Sequence, residues 1–262
     1  MAITLRTLAQ RKAEGKKFSV LTAYDASFSR LISTAGVDVM LVGDSLGMVL
    51  QGHDSTVPVS LEDMAYHTAA VARGNQGSLV MADVPFMGAA TLDRALHQAE
   101  VLMKAGANII KIEGAGWLAD TISVLKRNGV PVCAHLGLTP QSVNAFGGYR
   151  VQGREDAAAQ QLLDDALALQ EAGADLLLVE CIPQQLNQRL MQTVQVPVIG
   201  IGAGPECDGQ VLVMHDLLGV SPGKPARFVK NFLAEHTSVA AAFAAYASAV
   251  KNGPFPAPEH CF

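Results

Sequence analysis

Eight strand-like apolar runs alternate with segments of helix-like apolar spacing along 262 residues, and no Ser/Pro linker or charge run divides them. This alternation predicts an α/β chain: one (β/α)8 TIM barrel with an N-terminal helix, spanning residues 1–262, with a doubly wound open sheet as the second choice. Two further observations point the same way. Three strands are entered through a shared phrase, AGVDV, AGANI and AGADL, whose glycine is suited to end a helix in a left-handed turn. Acidic residues also recur where strand-like runs stop: Asp44 after VMLVG, Asp83 after LVMA, Glu113 after NIIKI and Glu180 after DLLLV. Carboxylates repeated at strand ends gather at the carboxyl face of a parallel sheet, where α/β enzymes hold their chemistry.

The predicted strands, in order, are Phe18 to Thr22, Val37 to Val42, Ser78 to Ala82, Asn108 to Ile112, Pro131 to Ala134, Asp175 to Val179, Val196 to Ile201 and Val211 to Met214. Helix starts are legible at Ser60-Leu-Glu-Asp63 and Thr91-Leu-Asp-Arg94, each a hydroxyl cap with acid in the first turn. Two connections are long for a compact domain, Asp44 to Pro58 and Gly137 to Gly153. Both leave the carboxyl side of the sheet and read as lids. The tail from Asn252 to Phe262 holds three prolines and reads as irregular.

Composition removes several function classes. A net charge of −5 without a basic stripe argues against nucleic acid as a partner. The cysteines Cys133, Cys181, Cys207 and Cys261 have neither metal nor CxxC spacing, and read as reduced thiols of a cytosolic protein. MAITLRTLAQRKAEGKK lacks a signal-peptide core, and the apolar span Val239 to Val250 is too short to cross a bilayer. The expectation is a soluble cytoplasmic protein with no membrane partner.

The strand-end acids carry two readings. Asp44 or Asp83 alone is equally well a helix cap. Together with Glu113 they make a set of hard oxygen donors suited to Mg²⁺, which takes one or two carboxylates and completes its shell with water and substrate oxygens. Lys111 and Glu113 share one strand face while Ile110 and Ile112 share the other, so the charged pair should point into the barrel mouth. There Lys111 would neutralise a substrate carboxylate or a developing enolate, or else form a buried ion pair with Glu113. His135 ends VPVCAH just before the glycine-rich loop, as a hydrogen-bonded structural residue or a site residue. Glu180 ends LLLVE and is either a general base or a carboxylate tied to backbone amides. Cys181 reads as a packing residue. GIGAG, Gly200 to Gly204, lacks dinucleotide-binding spacing and is a phosphate site or a tight turn.

Longer motifs then converge on one family. LTAYDASFSRLISTAGVDVMLVGDSLGMVLQGHDSTVPVSLEDM, followed by ADVPF, KIEG, HLGLTPQS, GGYRVQG, VECIP, GIGAG and DGQVLVMHDLLG, resembles ketopantoate hydroxymethyltransferase from about Thr4 to the tail. The resemblance implies a TIM barrel and Mg²⁺-dependent one-carbon transfer from 5,10-methylenetetrahydrofolate to the 2-oxoacid 3-methyl-2-oxobutanoate. The product would be 2-dehydropantoate, made on the way to pantothenate. It implies Asp44, Asp83 and Glu113 as metal-site acids, Ser45 and Lys111 as 2-oxoacid contacts with Asp44 and Asp83, His135 near the substrate, and Glu180 as proton acceptor. It also implies a homo-oligomer, a decamer in bacterial members, and the alanine-rich segment Ser238 to Val250 offers a face for a neighbour or a cover for the barrel. GPECDGQ and APEHCF are locally unusual for the family. Two rivals remain at this level: a Mg²⁺-dependent lyase or mutase of the phosphoenolpyruvate type on a similar barrel, and a non-catalytic 2-oxoacid-binding barrel.

Overall fold

The computed structural model describes residues 2–221 and 223–262. Its centre is a closed barrel of eight parallel strands in sequence order: β1 Phe18–Thr22, β2 Val39–Val42, β3 Leu79–Asp83, β4 Ile109–Glu113, β5 Val132–Gly137, β6 Leu176–Glu180, β7 Val198–Ile201 and β8 Gly209–Leu212. Closure comes from β8 pairing back on β1, with Phe18 opposite Gly209 and Leu21 opposite Leu212. The helices are α1 Leu5–Ala13, α2 Ala26–Thr34, α3 Leu46–Val49, α4 Leu61–Gly74, α5 Leu92–Lys104, α6 Ala119–Arg127, α7 Val143–Phe146, α8 Asp156–Glu171, α9 Gln184–Thr193, α10 Met214–Leu217 and α11 Val239–Asn252. The expected barrel and N-terminal helix are both present.

Strand alternation splits the core in two. Val20, Val39, Met81, Ile109, Cys133, Leu178 and Ile199 fill the barrel, and Leu8 of α1 is packed into the same cluster. Met40, Val80, Ile110, Ile112, Leu177 and Val179 face outward against the helices. Such two-sided burial is why these strands read as continuous apolar runs.

Local chemistry sets the element ends. Ser60 caps α4 by accepting from the Asp63 N–H at 3.1 Å, and Asp63 reciprocates by accepting the Ser60 N–H at 3.0 Å. Thr91 caps α5. Gly36, Gly106 and Gly173, the glycines of the shared phrase, all adopt positive φ.

Seven of the eight strands differ from expectation by one to three residues at an end, and two of these differences bear on the site. β5 continues to Gly137, because Leu136 and Gly137 pair with Val179 and Glu180, so His135 lies inside its strand and not at the end. β8 begins at Gly209 and ends at Leu212, earlier than the apolar run VLVM suggests. The Met214 N–H is taken by the Thr22 hydroxyl at 2.7 Å and starts α10, while Gly209 is held in the ladder opposite the Phe18 ring edge. The alanine-rich segment covers the barrel: Ala242, Phe243, Tyr246, Ala247 and Val250 of α11 are buried, and the Tyr246 hydroxyl donates to the carbonyls of Val20 and Gln210. Its apolar side is therefore already occupied within the chain, which removes it as a reason to expect a neighbour there. Among the described residues, no helix is long and apolar enough to cross a membrane.

Candidate active site

The barrel interior is apolar until its last layer, where it becomes charged. Asp83, Lys111, Glu113, His135 and Glu180 all project inward by strand parity, and Asp44 follows β2 by two residues. Parallel register sets Asp83 beside Lys111, Glu113 beside His135, and Glu180 beside Gly137. Six ionisable side chains, from five neighbouring strands or the turns after them, thus reach one wall of a cavity of about 760 Å³. Both long connections cover that cavity. Met48 and Thr56 from the first line it, as do Leu138, Pro140 and Tyr149 from the second, and the Tyr149 hydroxyl reaches Met48 Sδ at 3.5 Å.

Lys111 is the hub of the cluster. Its Nζ is 2.9 Å from Asp83 Oδ1, 3.2 Å from His135 Nδ1 and 3.8 Å from Glu113 Oε1. The predicted Lys111–Glu113 pair is therefore the longer contact, and Asp83 is the nearer partner. Burial works against the ammonium, but Asp83, Glu113 and Asp44 outweigh it and hold Lys111 above the ordinary lysine value. His135 Nδ1 lies 3.3 Å from Glu113 Oε1 and Nε2 lies 3.5 Å from Glu180 Oε2. Burial and the Lys111 charge oppose protonation of this imidazole, yet Glu113 and Glu180 raise its pKa above the usual histidine value.

The acids divide by environment. Burial, followed by repulsion from Asp83 and Glu113, pushes Asp44 well above the carboxylate range. Burial likewise raises Asp83, although Lys111 and the Asp44 N–H, which donates to Asp83 Oδ2 at 3.0 Å, pull it back. For Glu113 burial is outweighed by His135, Lys111 and the Gln141 N–H, so its value falls. Asp83 Oδ1, Glu113 Oε1 and His135 Nε2 are buried without a hydrogen-bond partner. No three His, Cys, Asp or Glu side chains among the described residues converge as a ready coordination sphere. One or two buried carboxylates with spare oxygens, next to open volume, is nonetheless the donor set that Mg²⁺ uses when water and a ligand complete its shell.

Several site residues escaped the sequence. Tyr24, fully buried after β1, meets Ser45 Oγ through its hydroxyl at 2.9 Å and so orients a predicted substrate contact. The Gln141 side chain donates to Asp44 Oδ2 at 2.8 Å and to the Val84 carbonyl at 2.9 Å, while its N–H donates to Glu113 Oε2 at 3.0 Å. A readable signal for Gln141 was Pro140 before it, which begins a 3-10 turn and turns the next N–H inward. Asp216, Arg227, Phe228 and Phe262 complete the far wall, and no spacing foretold them.

GIGAG closes β7 and turns out of the strand through Gly202 and Gly204, both at positive φ. Lys17 Nζ donates to the carbonyls of Pro205, Glu206 and Cys207, and Glu206 accepts from Gln184 and Gln188. Cys181 is buried, and burial followed by the Glu180 charge pushes its thiol far up, in keeping with a packing role.

A sequence profile described as Ketopantoate hydroxymethyltransferase matches residues 2–258. The chain belongs to that family. It is accordingly an enzyme, a hydroxymethyl transferase. Among its relatives, the 3-methyl-2-oxobutanoate hydroxymethyltransferase of Alcanivorax borkumensis is 66% identical over 262 residues, covering 100% of both chains. That of Marinobacter nauticus is 60% identical, covering 100% of this chain and 99% of its own. Solved structures share the fold at low identity. A phosphoenolpyruvate phosphomutase from Streptomyces platensis subsp. rosaceus has a TM-score of 0.63 at 16% identity, covering 82% of this chain and 81% of its own. A 2,3-dimethylmalate lyase has a TM-score of 0.60 at 18% identity, covering 81% of each.

Proposed function

We propose that this enzyme moves one carbon from 5,10-methylenetetrahydrofolate to 3-methyl-2-oxobutanoate, giving 2-dehydropantoate, and that it does so in the cytoplasm with Mg²⁺. The observation that carries this reading is the convergence of Asp44, Asp83, Lys111, Glu113, His135 and Glu180 on one cavity wall in a chain of this family. Asp44 and Asp83, with Glu113 behind them, would hold the cation. When bound, Mg²⁺ would stabilise negative charge on the substrate's keto oxygen.

The protein's own residues account for the rest. Lys111 sets a fixed positive charge beside the 2-oxoacid, and Ser45, held by Tyr24, offers a hydroxyl to it. Glu180 takes the proton from carbon three, and His135 next to it holds the carboxylate in place. The carbon so exposed forms its bond to the carrier's methylene. Both carbon–nitrogen bonds to that methylene break, water supplies the hydroxyl, and the substrate proton and one from water end on the two carrier nitrogens. The loops bearing Met48 and Tyr149 keep bulk water from the enolate.

The reading is tested with purified protein, 3-methyl-2-oxobutanoate and methylenetetrahydrofolate, with 2-dehydropantoate measured. EDTA should abolish turnover and Mg²⁺ restore it. Full turnover in metal-free protein would overturn the metal role, and turnover only with a phosphonate or malate-type substrate would favour the lyase–mutase rival. Assembly as a homo-oligomer, a decamer, rests on family membership, and sedimentation velocity decides it.

A further inference from the structure

The cavity is larger than one 2-oxoacid requires. At about 760 Å³ it lies in the range that encloses a drug-sized ligand, whereas the charged cluster occupies only the β2 to β6 side. The opposite side has a different character. Phe228 and Phe262 converge there on Gly202: a Cβ at that position would sit 2.9 Å from one ring and 3.0 Å from the other, and 3.4 Å from Cys181 Sγ. Gly202 has φ of +59°, and the neighbouring Cys181 also adopts positive φ at 48°, a costly conformation for a residue with a side chain. An aromatic wall is therefore built one residue away from Glu180. Arg227 stacks on the Phe262 ring at 5.5 Å and donates to the Glu259 carbonyl, which ties the tail to this wall.

Above the wall stand polar groups that the chemistry of the 2-oxoacid leaves unused. Asp216 lines the cavity from α10. Ser221 Oγ is buried and faces the Asp216 carboxylate, whose charge it favours. We propose that this β7–β8 side of the cavity, walled by Phe228 and Phe262 and headed by Asp216 and Ser221, binds the ring system of the reduced folate. A flat 2-amino-pyrimidinone offers adjacent N–H donors, which a carboxylate accepts, and faces that aromatic rings cover. Arg150 and Lys224 lie on the cavity lip, and neither forms an ion pair among the described residues, so both are free to meet the carrier's carboxylates.

A second cavity, of about 550 Å³, lies beside Trp117, Phe86 and Met87 and competes for this role. It reaches Glu113 but neither Lys111, His135 nor Glu180, and Gln141 separates it from Asp44. A methylene held there would lie on the Glu113 and Gln141 side of the cluster, in a cavity that Glu180 does not line. The β7–β8 side shares its cavity with Glu180, which pairs with Ile201 of β7.

The proposal rests on the functional reading above, and the experiment separates the two. Exchange of the carbon-three hydrogen of 3-methyl-2-oxobutanoate with deuterated water needs no carrier and reports the charged cluster. Calorimetric titration with tetrahydrofolate reports the carrier subsite. Asp216→Asn and Phe262→Leu should each weaken tetrahydrofolate binding by about tenfold or more, the effect of losing a buried polar partner or a fitted wall. Carrier-free exchange and the affinity for the 2-oxoacid should stay within about twofold of the parent. Parent-like tetrahydrofolate affinity in both variants, or its loss in Trp117→Ala instead, overturns the assignment to this side. A parent enzyme that exchanges deuterium but binds no tetrahydrofolate overturns the donor reading together with the subsite.

Discussion

The two ends of the barrel both bury charge, and they treat it in opposite ways. At the amino end Asp38 is saturated: its Oδ2 accepts from the Ser19 N–H at 2.9 Å and hydroxyl at 3.1 Å and meets Lys251 at 3.0 Å, while Oδ1 meets Arg11 at 2.7 Å. Asp208 is similarly held by Lys12 at 2.9 Å and the Val198 N–H at 2.9 Å. At the carboxyl end the contacts are looser. Glu113 Oε1 has no hydrogen-bond donor, its nearest nitrogens, His135 Nδ1 and Lys111 Nζ, lying at 3.3 and 3.8 Å, and the His135–Glu180 approach is 3.5 Å. Buried polar groups are normally partnered, so the spare oxygens of Asp83 and Glu113 beside the cavity mark where a ligand would complete the set. Saturated charge builds the barrel, whereas unsaturated charge is kept for chemistry.

The largest expected effect lies at the loose end. Glu180→Gln should cut both deuterium exchange and turnover by roughly 10²–10⁴-fold, the usual worth of a positioned base, with melting temperature and 2-oxoacid affinity retained. Exchange at the parent rate would show that Glu180 is not the base and bring His135 forward. Asp38→Asn should invert that pattern. Leaving Arg11 and Lys251, both partly exposed, facing a neutral partner should cost about 1.5–3 kcal/mol of unfolding free energy, measured by urea titration, with kcat unchanged. A loss of kcat without a loss of stability would break the distinction between the two ends.

The smallest effect concerns a helix cap away from both ends. Ser60→Ala should cost about 1 kcal/mol of stability and leave kinetics intact. Hydrogen bonds from the Ser60 N–H and hydroxyl hold Asp63 below the ordinary carboxylate value. A depressed folded pKa contributes stability above the unfolded value near 4, and that contribution is lost as pH falls through the folded value. The gap between parent and Ser60→Ala should therefore narrow at acid pH. A gap constant from pH 7 to pH 2 would show that Asp63 contributes nothing through the cap.

Legibility followed the range of the interactions. Ser60 and Thr91 were readable as caps because a cap is settled within four residues. Lys111 and Glu113 were readable as inward-facing because parity is fixed by the strand itself. Gln141 joins Asp44 and Glu113 across three elements, and Tyr24 reaches Ser45 only because β1 and β2 pair in the register observed. Neither partnership has a local signature. β8 ends short of its apolar run because VLVM is equally apolar as strand or helix, and a hydroxyl on β1 decides between them.

The sequence by itself determined the barrel, the strand-end acids and, through its long motifs, the family. Periodicity, capping and motif identity are written in consecutive residues. Tertiary structure alone decided that Lys111 leans on Asp83 more than on Glu113, that α11 is spent covering β1, and that Phe262 from the tail stands beside Gly202 to wall the cavity. Those outcomes depend on distances between segments far apart in the chain, which closure of the eight strands fixes and no local pattern encodes.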